Sequence, residues 1–308
     1  MLDEIKLLQF KEKMKLFGYA ARSVEGYTAE VKRFFCYLEE KENLKAVADV
    51  ETSHLKAWQA HISFGKFRDN KPLTPGTLLA RLVAVKTFFR IMHQENLYPH
   101  NYAPCIIMPK KRRPLPRNIP TVDEMRRLLQ AAVPDNPLAI RNRFMLELLY
   151  ATGIRSEELR TRSVQDLSIQ EKTLFVHGKG AKDRLVPLGN WVIPYALEYL
   201  HAARPYLVRL TKTHLLFPTI NGFMLDSSCL HKLIKAYRIK AGITMKISPH
   251  TFRHACATHM LAAGADIRYV QELLGHSDLS STQIYTKVTI GDLKLAHDKY
   301  HPANQQDF

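Results

Sequence analysis

The sequence predicts a mainly α-helical chain with a small β-sheet, built as an N-terminal helical bundle followed by a larger C-terminal domain. Three observations lead there. Apolar residues recur at helical spacing through the first third. A stretch rich in proline and basic residues, Pro109 to Arg117, then breaks the pattern. Beyond it, two short apolar segments flank a glycine-rich turn inside an otherwise helical pattern.

From Ser23 onward, Tyr27, Val31, Phe34, Phe35 and Leu38 fall on one helical face. A second helix is predicted from Thr52, with Leu55, Trp58 and Ile62 inward. A third begins near Thr74 with Pro75 in its first turn, a favoured place for proline. Its stripe is Leu78, Leu82, Val85, Phe88, Phe89 and Met92. Lys86 and Arg90 lie on the same helix and are candidate phosphate contacts, although a solvated basic face accounts for them equally well. The predicted boundaries are a helical domain over 1–108, a linker over 109–120 and a second domain over 121–308. Lys110, Lys111, Arg112 and Arg113 place positive charge on a proline-stiffened linker, as expected of a segment lying along DNA phosphates. A nuclear-localisation-like basic run is the competing reading.

After the linker, Thr121 with Glu124 has the form of a capping box, and Met125, Leu128 and Leu129 supply an apolar face. A further helix runs through Phe144, Leu146, Leu148, Leu149 and Tyr150 and stops at Gly153. Strands are predicted over Thr173 to His177 and Arg184 to Leu188, with Gly178-Lys179-Gly180 in the turn between them. From Asn190 the pattern is mainly helical, without internal repeats or low-complexity tracts.

Composition bounds the function. The chain has 308 residues, too many for one ordinary compact domain and comfortable for two. Hydrophobic residues make up 46% and charged residues 24%, as in folded proteins. Lys and Arg number 45 against 29 Asp and Glu, a formal net charge of +16, which points to a polyanionic partner. No apolar run is long enough to span a bilayer, and charges scattered through Met1 to Phe17 do not fit a signal peptide. Cys36, Cys105, Cys229 and Cys256 are widely spaced and read as reduced, mostly buried thiols, so a cytoplasmic protein is expected.

Five local patterns in the second domain carry candidate chemistry. In Thr152-Gly153-Ile154-Arg155-Ser156-Glu157-Glu158, glycine permits a sharp turn and places Arg155 at a helix start, where it can grip a phosphate with two parallel hydrogen bonds. Glu158 can orient it; an ordinary Arg–Glu surface pair is the bland alternative. Lys179, at a glycine-flanked turn, can protonate a leaving oxygen or simply be a solvated lysine. In Ser248-Pro249-His250-Thr251-Phe252-Arg253-His254, helical spacing puts His250 and Arg253 on one face. His250, His254 and His259 follow at helical intervals, but no acidic residue falls between them as in H-E-x-x-H, so no metal is expected. His276 follows Gly275, which ends a helix whose apolar face includes Ile267, Val270 and Leu274, and Tyr285 follows a box-like Ser280 to Gln283. Each signal is weak alone. A phosphodiester attacked by an oxygen nucleophile gathers negative charge on its non-bridging oxygens, and fixed cations can stabilise that charge without a metal.

The run from His250 through Tyr285 closely resembles tyrosine recombinases of the XerC/XerD and phage-integrase type. The segments Thr152 to Leu159 and Gly178 to Leu188 match the same family in order and at fitting distances, and the tail Lys299-Tyr300-His301-Pro302 is similar too. The resemblance covers nearly the whole chain. It implies an N-terminal bundle of the SAM-like type and a C-terminal catalytic recombinase domain. It further implies that Tyr285 is the nucleophile, forming a 3′-phosphotyrosyl link, and that Arg155 and Arg253 bind the scissile phosphate with a hydrogen bond from His276. Lys179 is the implied general acid, His250 the general base and Glu158 the support of Arg155. No cofactor, ATP or metal is implied. The implied partner is double-stranded DNA with inverted half-sites, bound by a homotetramer or by a heterotetramer with a second recombinase. Strands exchange through a Holliday junction, with a DNA translocase or accessory proteins as further partners. Family members also donate a C-terminal helix to a neighbour; here Ile290 to Tyr300 is the candidate, with Leu293, Leu295 and Ala296 as its apolar residues. A helix packed on its own domain is the alternative.

Lys287 stands where many Xer proteins carry histidine, and Phe67 to Leu73 forms a polar, basic loop longer than in the chromosomal Xer proteins. These departures leave open chromosome or plasmid dimer resolution, with its link to chromosome segregation, and mobile-element integration or excision. A type IB topoisomerase-like enzyme, a non-catalytic DNA-binding protein on the same fold and a metal-dependent nuclease are the rival readings. Relaxation without a target site, absence of a covalent adduct, and inhibition by EDTA would mark each in turn.

Overall fold

The computed structural model describes residues 4–44, 46–109, 119–178, 183–275 and 289–304. The chain divides into two compact units, Met1–Pro114 and Leu115–Phe308. Most of the basic linker, residues 110–118, lies outside the described residues, and with it Lys110, Lys111, Arg112 and Arg113.

The first unit contains α1 (Glu4–Leu16), α2 (Ala21–Lys41), α3 (Thr52–Phe64) and α4 (Pro75–Gln94). Val31, Phe34, Phe35 and Leu38 of α2 are fully buried, as are Val85, Phe88, Phe89 and Met92 of α4. Their rings meet edge to face, Phe34 with Trp58 at 4.9 Å and Phe35 with Phe88 at 5.4 Å between centroids. Such geometry sets the electropositive ring edge on a neighbour's π face and fixes how the helices pack. The Thr74 hydroxyl accepts from the Thr77 amide at 3.2 Å, and Pro75 occupies the first turn of α4. Helix α1 was not among the sequence expectations. Its inward residues Leu7, Phe10 and Met14 recur at helical spacing, but Ile5, Leu8 and Leu16 are exposed and blur the amphipathic pattern. Lys86 and Arg90 lie on α4, Lys86 half-buried and Arg90 exposed, with Arg90 donating to the Tyr19 hydroxyl at 2.9 Å.

The second unit is also mainly helical, with one small sheet. Helix α5 (Val122–Gln130) opens on the predicted capping box, Thr121 and Glu124 exchanging bonds of 2.8 and 3.1 Å. Helix α6 (Pro137–Thr152) is the core helix, with every residue from Phe144 to Thr152 buried. The short helix α7 (Ser156–Arg160) follows it. The sheet is antiparallel in the order β1 (Leu167–Ser168), β2 (Thr173–Val176), β3 (Arg184–Pro187), and Val176 pairs with Arg184. The two-residue β1 is too short to carry an alternation signal, and the sequence did not reveal it.

Then come α8 (Val192–Glu198), a π-helical turn over Tyr199–Ala203 and α9 (Arg204–Leu207). Residues 208–226 are a non-helical stretch within this mainly helical part; bridges such as Ser163 with Leu215 hold them instead. Helices α10 (Ser227–Lys240), α11 (Pro249–Ala262), α12 (Ile267–Leu274) and α13 (Ile290–Tyr300) complete the unit. On α12 the buried face is Val270, Leu273 and Leu274, whereas Ile267, expected inward, is exposed in the first turn. Helix α13 packs on its own unit through Leu293, Ala296 and His297, and Leu295 is exposed. Of the cysteines only Cys256 is buried, and Cys229 is exposed, so the expectation of mostly buried thiols does not hold.

Candidate active site

The site begins where α6 must stop. Gly153 takes φ +59°, a left-handed conformation that costs glycine little. A Cβ there would lie 2.6 Å from the Leu274 Cδ2 atom of α12. The chain therefore turns without a side chain, buries Ile154 and delivers Arg155 to the position that caps α7.

Arg155 is held by Glu158. Its amide donates to Glu158 Oε2 at 2.8 Å and its Nη1 to Oε1 at 2.9 Å, while its side chain stays 42% exposed. The carboxylate is buried and meets a second guanidinium from β3. Arg184 Nη1 and Nη2 donate to Oε1 and Oε2 at 3.2 and 3.0 Å. Burial alone would raise the Glu158 pKa, but the hydrogen bonds from Arg184 and the Arg155 amide overcome it and hold the carboxyl at about 2. Glu158 is therefore ionised throughout the neutral range.

Arg253 enters from α11. Its Nη1 donates to the Gly153 carbonyl at 2.9 Å and its Nη2 to the Leu274 carbonyl at 2.7 Å. Those bonds tie the ends of α6 and α12 together and leave further N–H groups on the fork. Burial, and then the neighbouring charge of Arg155, lowers the Arg253 pKa to about 10, still cationic at neutral pH. His250 stands exposed in the first turn of the same helix, after the capping residue Ser248. The structure thus brings Arg155, Glu158 and Arg253 together. Lys179, His276 and Tyr285 lie outside the described residues.

Behind the arginines lies a buried aromatic floor. The Tyr150 hydroxyl and His259 Nδ1 are 2.9 Å apart, and His259 Nε2 faces the Pro120 carbonyl at 2.9 Å. A carbonyl only accepts, so Nε2 carries the proton and Nδ1 accepts from the tyrosine. His259 is thus occupied at both ring nitrogens, and no group of three or more metal-binding side chains occurs among the described residues. His297 and His301, from α13 and its end, reach the same helix end and stack on Trp191 at 5.5 and 4.5 Å. Cys256 follows Arg253 by three residues on α11, and burial raises its thiol pKa to about 12 against the lowering effect of Arg253.

The phage integrase family profile matches residues 120–290, more than half of the chain and all of the arginine cluster. The chain belongs to the phage integrase family. It is a tyrosine recombinase by descent, of the class that cuts and rejoins DNA. It is 38% identical to tyrosine recombinase XerC 2 of Ralstonia nicotianae over 96% of this chain and 85% of that one. It is 34% identical to tyrosine recombinase XerD of Vibrio cholerae over 92% of each. The fold is similar to that of the XerH site-specific recombinase bound to difH substrate, with TM-score 0.67 and 23% identity over 94% of this chain and 83% of that one. It is also similar to lambda integrase bound to a COC′ core site, with TM-score 0.66 and 17% identity over 94% of this chain and all of that one. No helix among the described residues is long and apolar enough to cross a membrane.

Arg184 is the member of the cluster that reasoning from sequence did not single out. It stands in the Gly178 to Leu188 segment that carries the family resemblance, but an arginine after a basic turn reads as surface charge. Its partner, Glu158, is distant in sequence, and only the fold joins them.

Proposed function

We propose that the chain is a site-specific DNA recombinase acting through a 3′-phosphotyrosyl intermediate, without metal or ATP. The observation that carries this is the pair Arg155 and Arg253, held in one buried frame by Glu158 and the ends of α6 and α12. In this scheme the phenolic oxygen of Tyr285 attacks phosphorus and displaces the 5′-oxygen of the next nucleotide. His250 accepts the phenol proton and Lys179 protonates the departing oxygen. Arg155 and Arg253, with His276, meet the charge that develops on the non-bridging oxygens. The covalent link conserves the phosphodiester's bond energy, so a 5′-hydroxyl from another strand can reverse the step with no energy source. Repeating the exchange passes through a Holliday junction.

The proposed organisation is an N-terminal DNA-binding domain over 1–108, a linker over 109–120 and a catalytic domain over 121–308. Lys86, Arg90 and linker residues Lys110, Lys111, Arg112 and Arg113 contact phosphates in this reading. The excess of 45 basic over 29 acidic residues supports such contacts. Four protomers, or two each of this chain and a second recombinase, assemble on paired inverted half-sites. The test is a suicide substrate nicked beside the cleavage position. Wild type is expected to form a covalent protein–DNA adduct in EDTA, and Tyr285→Phe none. An adduct that persists in Tyr285→Phe, or needs a divalent cation, overturns the proposal.

A further inference from the structure

Arg184 has no part in the chemistry just described, yet it joins three segments of the site. It opens β3, the strand that begins five residues after Lys179 in the sequence. Its Nη1 and Nη2 grip both oxygens of Glu158 on α7 at 3.2 and 3.0 Å. Its Nε donates to the Leu273 carbonyl in the last turn of α12 at 3.2 Å. All three nitrogens therefore donate within the protein, and the side chain is only 9% exposed. The fit on α12 depends on glycine. Gly275 takes φ +64°, and a Cβ there would lie 3.0 Å from Arg184 Cδ and 3.1 Å from its Nε and Nη1.

The charges explain what this clamp is for. Arg155, Arg184 and Arg253 set against Glu158 leave two positive charges, three less one. Pentacoordinate phosphorus in a phosphodiester displacement carries about two negative charges on its oxygens, so the cluster matches it. Without Arg184 the surplus falls to one. Glu158 would then have Arg155 as its hydrogen-bonded cation and would compete with the phosphate for it. The bidentate ion pair with Arg184 prevents this, because it gives both oxygens of the carboxylate a second cationic partner.

We infer that Arg184 is a positioning residue. It locks β3, Glu158 and the end of α12 into one frame, and offsets the charge of Glu158 so that Arg155 keeps its outward donors for the scissile phosphate. The inference rests on the recombinase reading above. It differs from simple structural support in one testable way. If Arg184 acts by balancing Glu158, removing the carboxylate's charge must compensate for its loss.

The experiment is single-turnover cleavage of the nicked suicide substrate at saturating DNA, with DNA affinity measured alongside. Arg184→Met is expected to slow adduct formation about 100-fold, with DNA affinity changed by less than about threefold. Arg184→Met combined with Glu158→Gln is expected to cleave about tenfold faster than Arg184→Met alone, a coupling that lost packing would not produce. Arg184→Lys covers the case in which the methionine variant does not fold. It keeps the charge but cannot meet three acceptors, so it should be folded and slowed about tenfold. A folded Met or Lys variant that cleaves at the wild-type rate, or a double variant no faster than Arg184→Met, overturns the inference. If wild type forms no adduct at all, the recombinase reading fails first and the positioning role with it. If wild type forms the adduct and the variants match it, the positioning role alone is lost.

Discussion

His297 Nε2 donates to the carbonyl oxygen of Ala151 at 2.7 Å, joining α13 to the last turn of α6. One residue earlier on α6, the Tyr150 carbonyl accepts from His301 Nε2 at 3.1 Å. The final carbonyls of a helix have no partners within it, and burying them unpaired is costly. Here two imidazoles from the C-terminal segment supply the donors, just upstream of the turn that presents Arg155. Burial leaves no water to solvate a cation and so favours the neutral form of both rings.

Stability should therefore fall on the acid side. Burial lowers the pKa of His259, His297 and His301 below the ordinary histidine value of 6.5. A base with a depressed folded pKa binds more protons when unfolded. Its stabilisation is complete above the unfolded pKa and is lost as pH falls through about 6.5 toward the folded values. Melting temperature is expected to be flat from about pH 8 to 7 and to drop steadily below about 6.5. His297→Gln, which keeps an N–H near the Ala151 carbonyl without a titrating ring, should show a shallower drop. Identical acid slopes for the variant and wild type would remove His297 from the explanation.

Gly153→Ala should be among the most damaging small changes in the second unit. The left-handed φ of +59° and the 2.6 Å approach to Leu274 both oppose a Cβ. Strain and displacement together are expected to cost about 2–4 kcal/mol in urea unfolding. Adduct formation should fall further than stability does, because Arg253 bonds to the carbonyl of this residue. A variant as stable as wild type would mean that the turn relaxes without disturbing Leu274.

Phosphate contacts by Lys86 and Arg90 predict a particular salt signature. Binding to duplex DNA should weaken linearly in log–log form with salt, and Lys86→Ala or Arg90→Ala should each reduce the slope by about 1. The loss should be uniform across DNA sequences. Arg90 already donates to Tyr19, so an unchanged slope for Arg90→Ala would assign it to packing within the first unit.

Much of this architecture is written locally. Thr121 with Glu124, Asn136 before Pro137 and Ser248 before Pro249 mark helix starts because caps act over three or four residues. Gly153 and Gly275 mark helix ends for the same reason. The arginine pair and Glu158 are legible from motif order, whereas Arg184 is not, because its meaning arises only when β3 meets α7. The histidines His297 and His301 were equally silent, since a histidine pair on a polar-looking tail carries no sign that it will be buried. Ile267 and Leu295 mislead in the opposite direction, because an apolar side chain near a helix end can face water at little cost.

The two left-handed helix stops have a consequence for how this sequence can drift. The space beside Gly153 is filled by Leu274, and the space beside Gly275 by Arg184, whose carboxylate partner Glu158 in turn anchors Arg155. The contacts close into a ring that returns to the residue after Ile154. A larger residue at either stop must be answered by a smaller one opposite, and at Gly275 the answer would sacrifice the guanidinium itself. Divergence is therefore expected to be correlated within each contacting pair, 153 with 274 and 275 with 184.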